Sequence, residues 1–421
     1  MILPSLSFKS LRNRALTSVL TVLSIALSVT LLLSVERIRK SAQEGFTSAI
    51  SQTDLIVGAR SGPVQLLLFT VFNVGNPTHN ISYKAYEKLK DHPAVAWTIP
   101  YSLGDGHKGF RVVGTNEDFF KYYHYRGNHQ VEIEKGRVFR GLFDVVLGAE
   151  VARSLGYKLG DNVVVAHGVT HGHGVQHHDD KPFQVVGILS PTGTALDRAV
   201  YITLEGMEAM HVDWHDGAAP VAGKETPAYE LSRENLKVDD ITAFFVGAKN
   251  RVETLKLQRE INEFAEEPLL AIIPGATLAE LWDGLSYVEG SLKAISWMVV
   301  VVGLTSMLIA LLTTLQERRR EIAILRALGA SVQQVTGLLI FESGLLTLIG
   351  IVVGLGFSFG AIGLVAPWIE REFGLYLTGG GFSFVEIMYL IVTLVAGVLI
   401  GVIPAMIAMR NALKDGLTPK V

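Results

Sequence analysis

The 421-residue sequence contains no cysteine. Disulfides, thiolate metal sites and cysteine nucleophiles are therefore excluded. Charge is scarce too: Asp, Glu, Lys and Arg make up 18% of the residues, against roughly 25% in ordinary soluble domains. The two signs nearly cancel, leaving a formal net charge of −3, so no basic excess points to nucleic acid. The long segment between the first two apolar runs, residues 37–292, has no Gly-x-Ser-x-Gly turn, no His-Glu-x-x-His helix and no clear catalytic pair, which leaves a membrane-anchored hydrolase with little support. It also lacks a phosphate-binding loop. The nearest approach is Gly217-Ala-Ala-Pro-Val-Ala-Gly223-Lys224-Glu225. Its first glycine stands one residue too early, and no Ser or Thr follows the lysine.

What the chain has instead is apolar length. Hydrophobic residues reach 49% and the mean hydropathy is +0.35. A bilayer core requires about 20 mainly apolar residues per helix. Leu16 to Val35 and Ala294 to Leu315 are two uncharged runs of that kind, Val332 to Trp368 is a third, and Phe384 to Met409 is a fourth, interrupted by Glu386. Lys and Arg close to the spans set their orientation. Arg318, Arg319, Arg320 and Arg326 fill the loop between spans two and three, and Arg410, Lys414 and Lys420 follow span four. Both regions read as cytoplasmic. Span one is flanked by Lys9, Arg12 and Arg14 before it and by Arg37, Arg39 and Lys40 after it, so its direction follows from the others. Both termini are then expected inside and residues 37–292 outside. A cleaved signal peptide is the competing reading of span one, but its apolar run exceeds the usual 7–15 residues and no small-x-small site follows.

The spans carry glycines at four-residue spacing: Gly350 and Gly354, Gly356 and Gly360, Gly397 and Gly401. Such spacing lets helix backbones approach closely. Glu342 lies inside span three, where a lone carboxylate is by default a functional candidate. Its plainer reading is a side chain that reaches water, because Val332 opens the span only about 15 Å away.

The outer segment reads as mixed α and β. Ser82 caps a short helix to about His92. Strands are expected at Val95 to Ser102, Phe110 to Val113, Val145 to Leu147, Asn162 to Ala166, Phe183 to Leu189 and Ile241 to Val246. Helices are expected at Glu150 to Leu155, Leu204 to His211 and Val252 to Glu263. Thr277-Leu-Ala-Glu280 has the form of a capping box, with Leu278, Leu281, Trp282, Leu285 and Val288 on one helical face. That helix runs toward span two, and Arg37 to Ile50 can extend span one. Together they would form a stalk, although a surface helix packed on the domain needs the same apolar stripe.

Between spans two and three, Gln316-Glu-Arg-Arg-Arg-Glu-Ile-Ala-Ile-Leu-Arg-Ala-Leu-Gly-Ala-Ser331 forms a short amphipathic pattern. Ile324, Leu325 and Leu328 make its apolar strip. Glu317, Arg318, Arg319, Arg320 and Glu321 crowd its first turns, and Gly329 is placed for a left-handed end. Ser331-Val-Gln-Gln334 caps the next span. A helix so placed can pass force from a cytoplasmic partner to two spans, or lie on anionic lipid. The residues alone leave both readings open.

This stretch resembles the cytoplasmic coupling segment of FtsX-like ABC permeases of the MacB and LolC/LolE superfamily. Leu11-Arg-Asn-Arg-Ala-Leu-Thr-Ser-Val-Leu-Thr21 is similar to that family's first-span entrance. Val145-Val-Leu-Gly-Ala-Glu-Val-Ala-Arg-Ser-Leu-Gly156 with Gly160-Asp161, and Phe183-Gln-Val-Val-Gly-Ile-Leu189, resemble its MacB-like periplasmic core domain. The resemblance covers nearly the whole chain. It implies an α-helical membrane protein with four transmembrane helices arranged one plus three and a large mixed α+β extracytoplasmic domain on a helical stalk. The division expected is residues 1–36 for the N-terminus and span one, 37–292 for stalk and core domain, and 293–421 for the remaining spans with coupling helix 316–331. The implied setting is a bacterial inner membrane with the large domain periplasmic. The implied partners are a cytoplasmic ABC ATPase dimer, which carries ATP and magnesium on a separate polypeptide, and a second permease copy or homologue. Membrane lipid is a further partner, and a periplasmic adaptor or substrate-binding protein completes the set. A lipid, lipoprotein, peptide or other hydrophobic substrate is expected, or else a non-transporting mechanotransmitter that regulates a periplasmic enzyme.

One feature has no counterpart in that family's motifs. His167, His171, His173, His177 and His178 cluster in a Gly-rich stretch followed by Asp179 and Asp180. Neutral imidazoles suit zinc, copper or nickel, so a transition-metal-linked transporter or sensor is the alternative expectation. A solvated Gly/His/Asp hairpin that binds nothing has the same composition. His211 and His215 offer a second pair at helical spacing, with Asp213 between them. His79, His92, His107, His124 and His129 read as ordinary polar or satisfied core residues.

Overall fold

The computed structural model describes residues 14–166, 180–213, 226–317, 324, 329–373 and 381–415. Two compact units divide the chain. One holds Met1–Ser41, Ser286–Trp368 and Leu377–Val421, and the other Ala42–Leu285 and Ile369–Tyr376.

The chain begins with helix α1 (Ala15–Ser48) and then builds the second unit. Its elements are β1 (Leu55–Ala59), α2 (Pro63–Val71), α3 (Tyr83–Lys90), β2 (Val95–His107), β3 (Phe110–Thr115), α4 (Asp118–Tyr122), β4 (Ile133–Gly136), β5 (Asp144–Leu147), α5 (Ala149–Leu155), β6 (Asn162–Val163), β7 (Phe183–Leu189), β8 (Ala199–Thr203), α6 (Leu204–His211), β9 (Ala243–Ala248), α7 (Arg251–Asn262) and β10 (Leu269–Ile272). The strands form one ten-stranded sheet in the order β10-β1-β9-β2-β3-β8-β5-β7-β4, with β6 paired to β7. β2 holds its two halves together. Val95 to Tyr101 pairs antiparallel with β9, and after Ser102 the strand pairs with β3.

Period-two alternation sorts the side chains. Ile56, Ile99, Tyr101, Val113, Val146, Tyr201 and Phe245 point to one face, into a cluster with Phe119, Phe120, Tyr123 and Phe139. Their neighbours point to the other. Leu55, Val57, Phe244 and Val246 meet α3 and α7 through Tyr86, Leu257 and Ile261. Val145, Leu147, Val200 and Ile202 meet α5 and α6 through Val151, Met207 and Met210. β7 and α6 have the expected limits, and Ser82 caps α3 by accepting from Ala85 N. β1, α2, β4, β8 and β10 were not expected. β6 is shorter than expected, and only the isolated Gly106–Ala166 bridge continues it.

The remaining helices are α8 (Pro274–Glu317), α9 (Val332–Phe373) and α10 (Phe384–Asp415). α8 starts earlier than the expected capping box. Thr277 N donates to Ile273 O at 3.0 Å, so Thr277 is already helical, and Pro274 takes the first position, where its missing N–H costs nothing. Leu278, Leu281 and Trp282 pack on the aromatic cluster, with the Trp282 ring 5.7 Å from Phe46. Leu285 and Val288 are exposed. The apolar stripe thus behaves as a packed surface helix as far as Trp282.

Among the described residues four helices are long and apolar enough to cross a membrane: Ala15–Ser48, Pro274–Leu315, Val332–Trp368 and Phe384–Arg410. In the first unit Ile25, Val29 and Leu33 of α1 pack with Val300, Leu304 and Met307 of α8, Leu346 and Ile351 of α9, and Tyr389 of α10. Leu20, Met298, Val302, Val352, Leu364, Ile391 and Leu399 face outward, as lipid-facing side chains do. Two of the three glycine pairs mark close crossings. A Cβ on Gly354 would lie 2.7 Å from Ala26 O, and one on Gly401 would collide with Ser343. Gly356 and Gly360 meet nothing within 4 Å among the described residues.

Candidate functional site

At one end of the membrane unit lies the expected coupling segment. Glu317 is the last residue of α8. Arg318, Arg319, Arg320, Glu321, Leu325 and Leu328 lie outside the described residues. Ile324 is exposed, and Gly329 has φ +95°, the left-handed conformation expected of a helix end. The cap that follows forms in full: Ser331 N donates to Gln334 Oε1 at 2.9 Å, and Gln334 N donates to Ser331 Oγ at 3.2 Å. Arg14 Nη1 donates to Thr314 O at 2.8 Å, tying the start of α1 to the end of α8. Ile324 is thus an exposed apolar residue a few positions ahead of a fully capped helix start.

The other end of the same unit holds a charge network that sequence reading missed. Arg39 pairs with Glu36 at 2.6 Å and with Glu289 at 3.4 Å, and Lys293 pairs with Glu289 at 2.6 Å. Arg37 Nε donates to Glu386 Oε1 at 2.6 Å. The other oxygen of Glu386 accepts from Ser383 N at 2.8 Å, and Glu386 N donates to Ser383 Oγ at 3.2 Å. The Arg37 guanidinium lies 4.1 Å from the Phe359 ring centroid. Four helices are therefore held by one set of contacts: α1 and α8 through the first group of pairs, α10 through Glu386, and α9 through Phe359. Glu36 and Glu386 are both buried. Glu386 is not a break in span four but the fourth residue of a Ser-x-x-Glu capping box, and that motif was the signal available in the sequence. Each acid faces a base, which suits the network to fixing helix positions rather than to acid–base chemistry.

Glu342 departs from the plainer expectation. The structure leaves it 4% exposed, so it does not reach out to solvent from span three.

Among its described residues the outer unit carries several buried polar groupings. Asp144 accepts from Arg137 Nη1 at 2.7 Å and from the N–H groups of Arg140 and Gly141. Burial pushes its carboxyl upward, but these donors outweigh that and hold it below the usual carboxylate range. Lys181 is 1% exposed and donates to Asp180 at 2.8 Å and Asp213 at 2.9 Å. Burial lowers its ammonium, and the two carboxylates more than offset this. His211, the last residue of α6, lies 3.3 Å from Asp105 through Nε2. Burial lowers its imidazole, and Asp105 reverses the shift and holds it above the ordinary value. Burial, with Asp240 nearby, pushes Glu208 up to about 7.

His167, His171, His173, His177 and His178, with His215, lie outside the described residues. Asp213 does not stand ready as their ligand, because it holds Lys181 and accepts from Thr226 N and Thr226 Oγ1. His107 is a satisfied core residue as expected, between Val164 O at 2.6 Å and Tyr157 OH at 3.0 Å.

The family profile described as the MacB-like periplasmic core domain matches residues 18–263. That of the FtsX-like permease C-terminal matches residues 293–417. The chain is similar to an uncharacterised ABC transporter permease of Methanocaldococcus jannaschii, 23% identical over 418 residues, covering 95% of this chain and 93% of the relative. It is also similar to the uncharacterised ABC transporter permease YknZ of Bacillus subtilis, 23% identical over 388 residues, covering 86% and 90%. Among solved structures, the periplasmic region of MacB from Actinobacillus actinomycetemcomitans aligns with a TM-score of 0.34 and 11% identity, over 55% of this chain and 94% of that one.

Proposed function

We propose, from the premise that this chain belongs to the FtsX-like, MacB-type family of ABC transporter permeases, that it converts ATP hydrolysis on a separate cytoplasmic ATPase into motion of its outer domain. Both termini are inside, and the segment 316–331 docks the ATPase. A second permease subunit, a copy or a relative, completes the membrane part. The substrate is a lipid, lipoprotein, peptide or other hydrophobic molecule handled from the membrane or the outer face.

One observation carries the reading. α1 and α8 run without a break from the apolar windows of the membrane unit into residues of the sheet unit. A displacement at the Arg14–Thr314 end is passed along these two helices. The charge network of Glu36, Arg37, Arg39, Glu289, Lys293 and Glu386 then makes the helices respond together.

The docking step is tested on the apolar strip. Leu325→Asp with Leu328→Asp is expected to remove an ABC ATPase from the material co-purified with the full-length protein out of native membranes, as identified by mass spectrometry. The variant should remain in the membrane fraction at wild-type level. Undiminished recovery of the ATPase would sink the assignment.

A further inference from the structure

We propose that Arg37, beneath the rings of Phe359 and Phe382, holds a glycerolipid of the surrounding bilayer through an ester carbonyl. This goes beyond the permease reading and rests only on the long apolar helices crossing a membrane.

A guanidinium presents its N–H donors in a fixed fork. Arg37 Nε donates to Glu386 Oε1 at 2.6 Å. Arg37 Nη2 is buried and has no acceptor among the described residues. A buried donor on a charged group is costly to leave unmade. The rings beside it do not make good the loss. The guanidinium carbon lies 4.1 Å from the Phe359 centroid and 5.4 Å from that of Phe382, and a ring face accepts an N–H only weakly. The two rings meet edge to face at 5.9 Å. They are 46% and 45% exposed, so the cover they form is open on its far side. Phe382 stands between α9 and α10 and belongs to neither, so its ring can turn aside and uncover Nη2 without moving a helix.

Charge and depth select the acceptor. Glu386 already balances the guanidinium. The first turn of α10 draws no further anion, because Ser383 and Glu386 cap each other there. A phosphate at Nη2 would be a second anion on one cation, beside a carboxylate that repels it. A neutral carbonyl oxygen meets no such repulsion. Arg37 is the second residue after the uncharged run Leu16 to Val35, which puts it at the edge of the hydrocarbon layer. Bilayer glycerolipids present their ester carbonyls at that edge, with the acyl chains starting directly below. The half-open Phe359 and Phe382 rings give the first methylenes of such a chain an apolar seat.

The test titrates two synthetic lipids into the delipidated, full-length protein in detergent and counts bound lipid by native mass spectrometry. One is a diester phosphatidylcholine; the other is the diether phosphatidylcholine with the same chains, which lacks only the carbonyls. Wild type should hold one diester lipid at least about tenfold more tightly than its diether analogue, the lower end for a hydrogen bond from a charged donor. Arg37→Met combined with Glu386→Met should bind the two alike. A third lipid, diether phosphatidylglycerol, separates headgroup charge from the carbonyl, and is expected to bind as weakly as the diether phosphatidylcholine. Should the double variant fail to fold, a diester lipid with a diazirine beside its carbonyl decides the matter in wild type, where it should label the peptides containing Phe359 and Phe382. Equal binding of diester and diether lipid by wild type, an ester preference that survives the double change, a preference for the anionic headgroup, or labelling confined to other peptides would each overturn the proposal.

Discussion

Two acidic residues show how differently one side-chain type works in the two halves of this chain. In the outer unit Asp144 accepts from Arg137 and from two backbone N–H groups, and the net effect depresses its carboxyl. A carboxylate with a depressed native pKa contributes stability that is present above its unfolded pKa and is lost as pH falls through the native one. Asp144→Asn is therefore expected to cost about 1–3 kcal/mol at neutral pH, the range for leaving buried donors unsatisfied. The gap to wild type should narrow as pH drops below about 4, the ordinary carboxylate value, and close only once pH has passed below the depressed native one. Thermal unfolding at several pH values checks this, and a pH-independent gap would refute it. In the membrane unit the buried Glu386 faces Arg37, which is itself mostly withdrawn from solvent. Removing one partner of such a pair strands the other and costs about 3–5 kcal/mol, while replacing both with apolar groups costs much less. Glu386→Gln should accordingly lower the unfolding temperature in detergent more than Arg37→Met combined with Glu386→Met. The reverse order would show that the pair does not hold the helices.

At the scale of elements, sequence reading succeeded where a local signal and the tertiary environment agree. β7 and α6 were legible because β-branched alternation and a helical stripe are bounded by turn residues. The cap at Ser331 was legible because its partner Gln334 lies three residues away. β1, β8 and β10 escaped because strands covered on both faces lose their alternation; β8 is buried at every residue. The start of α8 was misplaced because Thr277 and Glu280 mimic a cap, while Pro274 is the actual first residue. Of the candidate site, the coupling motif could be read from its residues. The Arg37–Glu386 bond could not, because its partners stand 349 positions apart. The glycine pairs were equal in sequence and are unequal in structure. A Cβ at Gly354 meets Ala26 O and Val29, whereas Gly360 is open. Gly354→Val is expected to cost about 1–3 kcal/mol through overpacking of the α1–α9 crossing, and Gly360→Val less than about 0.5 kcal/mol. Equal losses in unfolding temperature would mean that the crossing is not set by these backbones.

For the molecule as a whole, the absence of cysteine that excludes disulfide chemistry also makes transmission measurable, because a single introduced thiol is the only labelling site. Tyr287 on α8 is 84% exposed and lies close to Glu289 and Lys293 of the charge network, so a spin label there rides on the helix without disturbing the core. In a complex with its ATPase and a second copy of this chain, Tyr287→Cys places one label on each α8 and reports the distance between them. If the long helices carry motion outward, that distance should shift by several ångströms, about the rise of one helical turn, between the nucleotide-free and the ATP-trapped states. Glu386→Gln should blunt the shift, because α10 and α1 then no longer respond together. An unchanged distance distribution would refute mechanical transmission through α8. A shift that survives Glu386→Gln would leave α8 as the conductor and remove the charge network from that role.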